Sequence, residues 1–236
     1  MKKNNKEKYD IETIGKDFLI EVIQDIIDKR SYFCSEADFQ FELAWNLKEK
    51  LNNPDIEIKL EYYMNIDSED MHIDILIIQS NRILPIELKY KTKAFDIKNN
   101  NKVIYTFKNH SAYAANSYLY LKDIERIEKI RNNNKDNFVN GFAIMLTNDG
   151  YYKKEPKESS CHYNFSLYNG RTLDKASELK WKNPSNNNSK WFEKSPVYNK
   201  PLKISSLNEI NWEKDIKVSK YSDSYSLYLL ITQIEN

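Results

Sequence analysis

The chain has 236 residues, 40% of them hydrophobic and 30% charged, which suits one large domain with a real core. Its 36 basic and 35 acidic residues leave almost no net charge, so a globally basic nucleic-acid surface is excluded and any such contact must come from a local patch. Cys34 and Cys161 belong to no CxxC or Cys/His cluster, which argues against a zinc site or a disulfide framework and for a reducing, cytoplasmic setting.

The opening MKKNNKEKYD is polar and leads into no apolar signal-peptide region, and no later run reaches the roughly 18 apolar residues of a membrane span. Ile11, Ile14, Phe18, Val22 and Ile26 then recur at helical spacing and predict an amphipathic helix over 11–29. Ser35 is a good N-cap for a second helix, whose inner stripe is Gln40, Leu43, Ala44, Leu47 and Leu51 and which Asn52, Asn53 and Pro54 stop. Glu36 lies one turn before Gln40 on that stripe, so its carboxylate points toward the core side. The competing reading is a first-turn acid favoured by the helix dipole.

Alternation predicts strands at 56–64, 71–79 and 83–91, the last two joined as an antiparallel hairpin through Ser80 and Asn81. An Asn- and Lys-rich loop is expected at 98–102 and a long helix from Asn109 to Arg131, with Tyr113, Ser117, Tyr120, Leu121 and Ile124 inward. The nearly continuous apolar run 138–147 suits a central strand covered on both faces. Residues 148–236 are less regular, with a polar loop expected at 182–190 and a last strand in YSLYLLITQI. No repeat or linker divides the chain, so a single domain is expected: a core over 31–150 and a C-terminal extension over 151–236 packed on it.

The hairpin carries the chemistry. With Ser80 and Asn81 as turn residues, Asp74 faces Glu87 and His72 faces Lys89, so His72, Asp74, Glu87 and Lys89 share one face. Ile73, Ile75, Ile77, Ile86, Leu88 and Tyr90 take the other, and a one-residue slip would break the arrangement. Two carboxylates ~5 Å apart at an effective dielectric of ~20 repel by about 3 kcal/mol, a penalty that a divalent cation turns into binding. Mg²⁺ takes such oxygen ligands and activates water, while a lysine two residues along orients that water or holds phosphate. Pro85 cannot donate to a ladder, which predicts a bulge or local distortion that helps re-aim Glu87. A solvated face of alternating charge is the plain alternative, and D…ExK alone is weakly specific.

The order helix, strand, strand with Asp, strand with Glu-x-Lys, long helix, apolar strand adds specificity. Through SEADFQFELAW (35–45), HIDILII (72–78), PIELKYKTK (85–93) and GFAIMLTND (141–149), with the run DIERIE at 123–128, residues 31–150 resemble the PD-(D/E)xK nuclease superfamily. The resemblance implies an α/β, restriction-endonuclease-like mixed β-sheet core flanked by helices. It makes Asp74, Glu87 and the Leu88 carbonyl ligands of Mg²⁺, with Mn²⁺ able to substitute. Lys89 becomes the catalytic lysine, Glu36 the first-helix acid near the metal and Gln40 its neighbour. Ile73 stands where the motif has proline.

His72 is a candidate phosphate contact or a packing neighbour of Lys89. From Glu87 to Lys108 six lysines, Lys91 and Lys93 among them, face two acids, with Tyr90, Phe95, Tyr105 and Phe107 interleaved; this suits a backbone-gripping surface or a solvated loop. The seventeen tyrosines read as structural, and none is assigned to a base.

The expected activity is Mg²⁺-dependent endonuclease cleavage of DNA in restriction, defence or repair, with a homodimer expected if both strands of a palindrome are cut. The alternative is a catalytically inactive, restriction-like protein that binds DNA or a partner. RNA as substrate stays open.

Overall fold

The computed structural model describes residues 8–173, 177–182, 192, 195–206, 209–218, 220 and 225–236. The polar run expected as a loop at 182–190 lies outside them except for Lys182.

Gly15 divides the first predicted helix. Ile11–Thr13 form a single 3₁₀ turn, and α1 (Lys16–Lys29) starts only after Gly15, whose backbone is extended. The second helix, α2 (Glu36–Leu51), begins where its cap predicts: Ser35 Oγ accepts the Asp38 N–H at 3.1 Å. It ends on Asn52, a left-handed C-cap at φ 46°. Its expected stripe, Gln40, Leu43, Ala44, Leu47 and Leu51, is buried.

Three strands follow, β1 (Ile56–Ile66), β2 (Glu69–Gln79) and β3 (Arg82–Lys91). The expected loop at 98–102 is instead the tip of a hairpin, β4 (Phe95–Asn99) and β5 (Lys102–Phe107). Asn100 and Asn101 turn it at φ 50° and 63°, angles that asparagine tolerates. Then α3 (Tyr113–Asn133) carries the chain across the sheet to β6 (Asn140–Thr147), which pairs in parallel with β3. At Gly141 α3 comes so close that a Cβ would lie 2.3 Å from the Ile127 side chain. The short strands β7 (Arg171–Thr172) and β8 (Glu209–Ile210) pair with each other. Finally β9 (Ile216–Val218) and β10 (Tyr225–Glu235) return to the main sheet, β10 lying antiparallel to β6.

The result is a mixed α/β fold, a six-stranded sheet of order β1-β2-β3-β6-β10-β9 flanked by three helices. One core lies between the sheet and α1 and α2, the other beneath α3. No described helix is long and apolar enough to cross a membrane.

The β2–β3 register is the predicted one from Gln79↔Arg82 to Ile75↔Ile86, and there it stops. On the other side of β2 the ladder runs to Leu60↔Ile75 and resumes at Tyr62↔Ile73, skipping Glu61 and Asp74. Glu61 has φ 48°, a left-handed conformation inside a strand. The hairpin bends at this point. Ile75 and Ile77 belong to the core of α1 and α2, whereas Met71 and Ile73 belong to the core of α3. The expectation that Ile73 shares a face with Ile75 is therefore corrected, because the bend interrupts the alternation.

Pro85 is a second correction. The β2–β3 ladder passes regularly through Leu76↔Pro85, without the expected bulge. The Ile83 N–H bonds Asn137 O, away from β2, so by alternation the missing N–H of Pro85 also belongs on that side. There Ile83 faces Phe138 while Ile86 faces Phe142, so the opposing chain has one residue more. The irregularity that accommodates proline lies toward β6.

Candidate functional site

When β2 turns away after Ile75, β3 loses the acceptors for its next outward N–H groups, and buried backbone donors must be satisfied. Two carboxylates take over. Asp74 Oδ2 accepts the Leu88 N–H at 2.6 Å, and Glu36 Oε2, from the first turn of α2, accepts the Tyr90 N–H at 2.6 Å. The fold thus places two acids of separate elements along one edge of β3. Gln40 fixes the bend: its Nε2 donates to the Asp74 carbonyl at 2.6 Å and to Glu61 Oε1 at 2.8 Å.

Glu87 and Lys89 project from the opposite edge of the pleat toward α3. Glu87 is 1% exposed. Arg126 Nη1 lies 3.2 Å from Glu87 Oε1 and 3.5 Å from Asp123 Oδ1. Lys89 Nζ lies 2.5 Å from Asp123 Oδ2 and donates to the Leu88 carbonyl at 2.9 Å. Asp123 itself is buried. Glu87 Oε1 and Asp123 Oδ2 are paired by charge, yet neither receives a hydrogen bond of good direction.

Burial pushes the Glu87 carboxyl well above the usual glutamate range; the charge of Asp123 adds to this and Arg126 opposes it. Burial also raises Asp74, against the pull of Lys89 and the Leu88 N–H. For Lys89 burial acts downward, but Asp123 and Glu36 outweigh it and raise the ammonium pKa. Burial thus opposes ionisation at Glu87 and Asp74, while the neighbouring acids favour the charged form of Lys89.

The site opens into a cleft of about 820 Å³ between the far half of β2, α3 and the segment 200–202. Glu36, His72, Lys89, Lys91, Asp123 and Arg126 reach its wall, and Lys122, Lys129 and Lys200 add positive charge that Glu69, Asp70 and Glu125 largely balance.

The predicted residues divide as follows. Asp74, Glu87, Leu88, Lys89 and Glu36 meet around one stretch of β3. Asp74 and Glu87 feel each other's charge without being ladder partners. Lys91 pairs with Glu36 Oε2 at 2.8 Å and lines the cleft. Gln40, expected near substrate, is buried and holds the bend with its amide. His72 lines the cleft, but its ring lies against Tyr63, centroids 5.6 Å apart, and its carbonyl accepts Arg126 Nη2 at 2.5 Å. Lys93 lies elsewhere, its backbone exchanging hydrogen bonds with Asn148 at 2.7 and 3.1 Å.

The aromatics between the lysines of 89–108 turn inward: Tyr90 and Phe107 are buried, and Tyr105 stacks on Tyr32 at 4.6 Å. Half of the cationic side chains in the cleft, Lys122, Arg126 and Lys129, come from α3 instead, together with the acids Asp123 and Glu125. Asp123 and Arg126 enter the resemblance only within the DIERIE run at 123–128, with no role of their own. The available signal was an acid three residues after Tyr120, on the inner stripe of a helix, where a charge needs a partner.

The donor set fits a hard cation. Glu87 Oε1 and Asp123 Oδ2 are buried oxygens without directed hydrogen bonds, and Asp74 and the Leu88 carbonyl lie beside them. Among the described residues, however, no three His, Cys, Asp or Glu side chains are already gathered as a metal-binding cluster. Lys89 and Arg126 hold the acids as ion pairs. Comparisons of the chain with protein-family models, with curated proteins and with solved structures give no match.

Proposed function

We propose that this chain is a Mg²⁺-dependent nuclease with a restriction-endonuclease-like core of the PD-(D/E)xK kind, hydrolysing phosphodiester bonds in DNA. One observation carries the reading: at the bend in β2, Asp74, Glu87 and Lys89 lie within reach of one another's charge, beside a cleft lined by basic and acidic side chains. Asp74, Glu87 and the Leu88 carbonyl would hold the ion. Bound there, Mg²⁺ supplies a water of lowered pKa and neutralises charge on a phosphoryl oxygen. Lys89, kept protonated by Asp123, orients the attacking water or the scissile phosphate. Lys122, which has no ion-pair partner among the described residues, would hold a flanking phosphate, with Lys129 and Lys200 beside it on Glu69.

The test is Mg²⁺- or Mn²⁺-dependent nicking of supercoiled plasmid, with single-stranded DNA and RNA as further substrates. Asp74→Ala, Glu87→Ala and Lys89→Ala each lower the rate by about 100-fold or more. A wild type that cleaves none of these with either metal contradicts the proposal.

One observation favours the non-catalytic alternative, a restriction-like protein that binds DNA or a partner: Lys89–Asp123 and Arg126–Glu87 already neutralise the acids without a metal. Thermal melting separates the two. A resident Mg²⁺ site raises the melting temperature as metal is added, and a closed ion-pair network does not respond.

A further inference from the structure

We infer that the crevice at the carboxyl ends of β3 and β6 is a second binding site, taking one nucleotide of a nucleic-acid strand between tyrosine rings with its phosphate on Lys93 and Lys154. The ring offered to the base is that of Tyr151, the exposed one of the three tyrosines. The inference rests on the nuclease reading for the polymer that arrives, and otherwise on different residues. Sequence alone assigned no tyrosine to a base.

The main-sheet strands β3 and β6 run parallel, and the crevice beyond the carboxyl ends of such strands is a common place for ligands. Here it is a cavity of about 570 Å³, in the range of small-molecule pockets. Tyr113 and Tyr151 form one wall, ring centroids 4.4 Å apart, and Tyr151 is 45% exposed. Tyr228 forms another, with the Lys153 ammonium 4.8 Å over its ring. The loop between the walls is fixed. Asn148 is tied to the Lys93 backbone, and at Gly150 a Cβ would come within 3.2 Å of the Tyr228 ring.

The lining carries a surplus of one positive charge, Lys93, Lys153 and Lys154 against Asp149 and Asp215. Asp149 is committed to the Tyr113 hydroxyl and to the Tyr151 N–H at 3.0 Å, and Asp215 to Lys153. Among the described residues Lys93 and Lys154 have no ion-pair partner, so two ammonium groups stand free at the rim of an aromatic cavity. Aromatic faces with adjacent cations are what an unpaired nucleotide needs, stacking for the base and charge for the phosphate. Lys91, in the cleft of the candidate active site, is two residues from Lys93 in the chain, so a strand leaving that cleft along β3 arrives here.

The test is fluorescence anisotropy with a labelled single-stranded oligodeoxynucleotide of about a dozen nucleotides, in EDTA so that nothing is cleaved. A matching abasic strand and a free deoxynucleotide monophosphate serve as comparisons. Tyr151→Ala weakens binding of the normal strand by about 5- to 100-fold and leaves the abasic strand within about twofold, while Tyr151→Phe binds as wild type. Lys93→Ala with Lys154→Ala weakens both strands and flattens the salt dependence. Tyr151 and both lysines are exposed, and circular dichroism confirms that the variants stay folded. Wild-type affinity in these variants, equal wild-type affinity for normal and abasic strands, or binding of the free nucleotide without the strand overturns the proposal. Failure of the nuclease reading shows differently, as strand binding without Mg²⁺-dependent cleavage.

Discussion

Asp74 replaces a strand: its carboxylate accepts the Leu88 N–H at 2.6 Å where the backbone of β2 has already turned away from β3. Structural and chemical roles thus fall on one side chain, and substitution separates them. Asp74→Ala strands a partly buried donor and destabilises the fold by about 1–3 kcal/mol. Asp74→Asn keeps an acceptor and remains within about 1 kcal/mol of wild type in urea unfolding, yet both lose metal-dependent cleavage. Equal stability of the two variants would refute the strand-replacing role.

Lys89 and Asp123 form a buried ion pair, with side chains 12% and 6% exposed. Removing Asp123 leaves the buried Lys89 ammonium without its ion-pair partner, which costs up to about 3–5 kcal/mol in such settings, whereas removing Lys89 leaves Asp123 with Arg126 at 3.5 Å. Asp123→Ala therefore destabilises strongly, and Asp123→Ala combined with Lys89→Met recovers part of the loss. A double-mutant cycle in denaturant gives the coupling directly. Additive effects would mean that the pair has no energetic link.

Glu87 gives a pH dependence of defined sign. Its carboxyl is raised above the ordinary value of 4.5, so the folded state holds the proton more tightly than the unfolded chain. Its contribution to stability is greatest in acid, falls as pH rises from 4.5 toward the raised value, and is constant beyond. Glu87→Gln lacks that loss. The stability of the variant relative to wild type grows with pH across this window and then levels off, as urea unfolding at a series of pH values reads out. A difference that shrinks with rising pH contradicts the assignment.

Glu61 is the strained residue of the bend at φ 48°, held by Gln40. A left-handed conformation costs a side-chain-bearing residue about 1–2 kcal/mol and glycine almost nothing. Glu61→Gly therefore stays near wild-type stability, the relief of strain offsetting the lost hydrogen bond, whereas Glu61→Val is clearly destabilised. Thermal melts of the pair decide it, and equal melting temperatures would mean that the backbone relaxes freely here.

Local chemistry made several of these features legible. Ser35 marks the start of α2, and Ser80 and Asn81 between two alternating runs set the β2–β3 register as far as Ile75↔Ile86, beyond which the expected pairs Asp74↔Glu87 and His72↔Lys89 do not form. The bend was not legible, because glutamate is not a residue that signals a left-handed backbone and alternation through Asp74 reads as one straight strand. Asp123 and Arg126 were hidden for another reason: a charge on the inner stripe of a helix acquires meaning only when the crossover brings α3 over Glu87 and Lys89. The place of β10 beside β6 is likewise a long-range fact that periodicity cannot express. The β4–β5 hairpin was obscured by Asn100-Asn101, a turn pair that also reads as polar loop.

The central claim is that Asp74 and Glu87 share a cation, and Mn²⁺ binding followed by electron paramagnetic resonance tests it most directly. Wild type should bind Mn²⁺, Mg²⁺ should displace it, and Asp74→Asn and Glu87→Gln, still folded, should each abolish the tight site. A wild type that leaves Mn²⁺ free in solution, or variants that bind it equally well, would contradict the account.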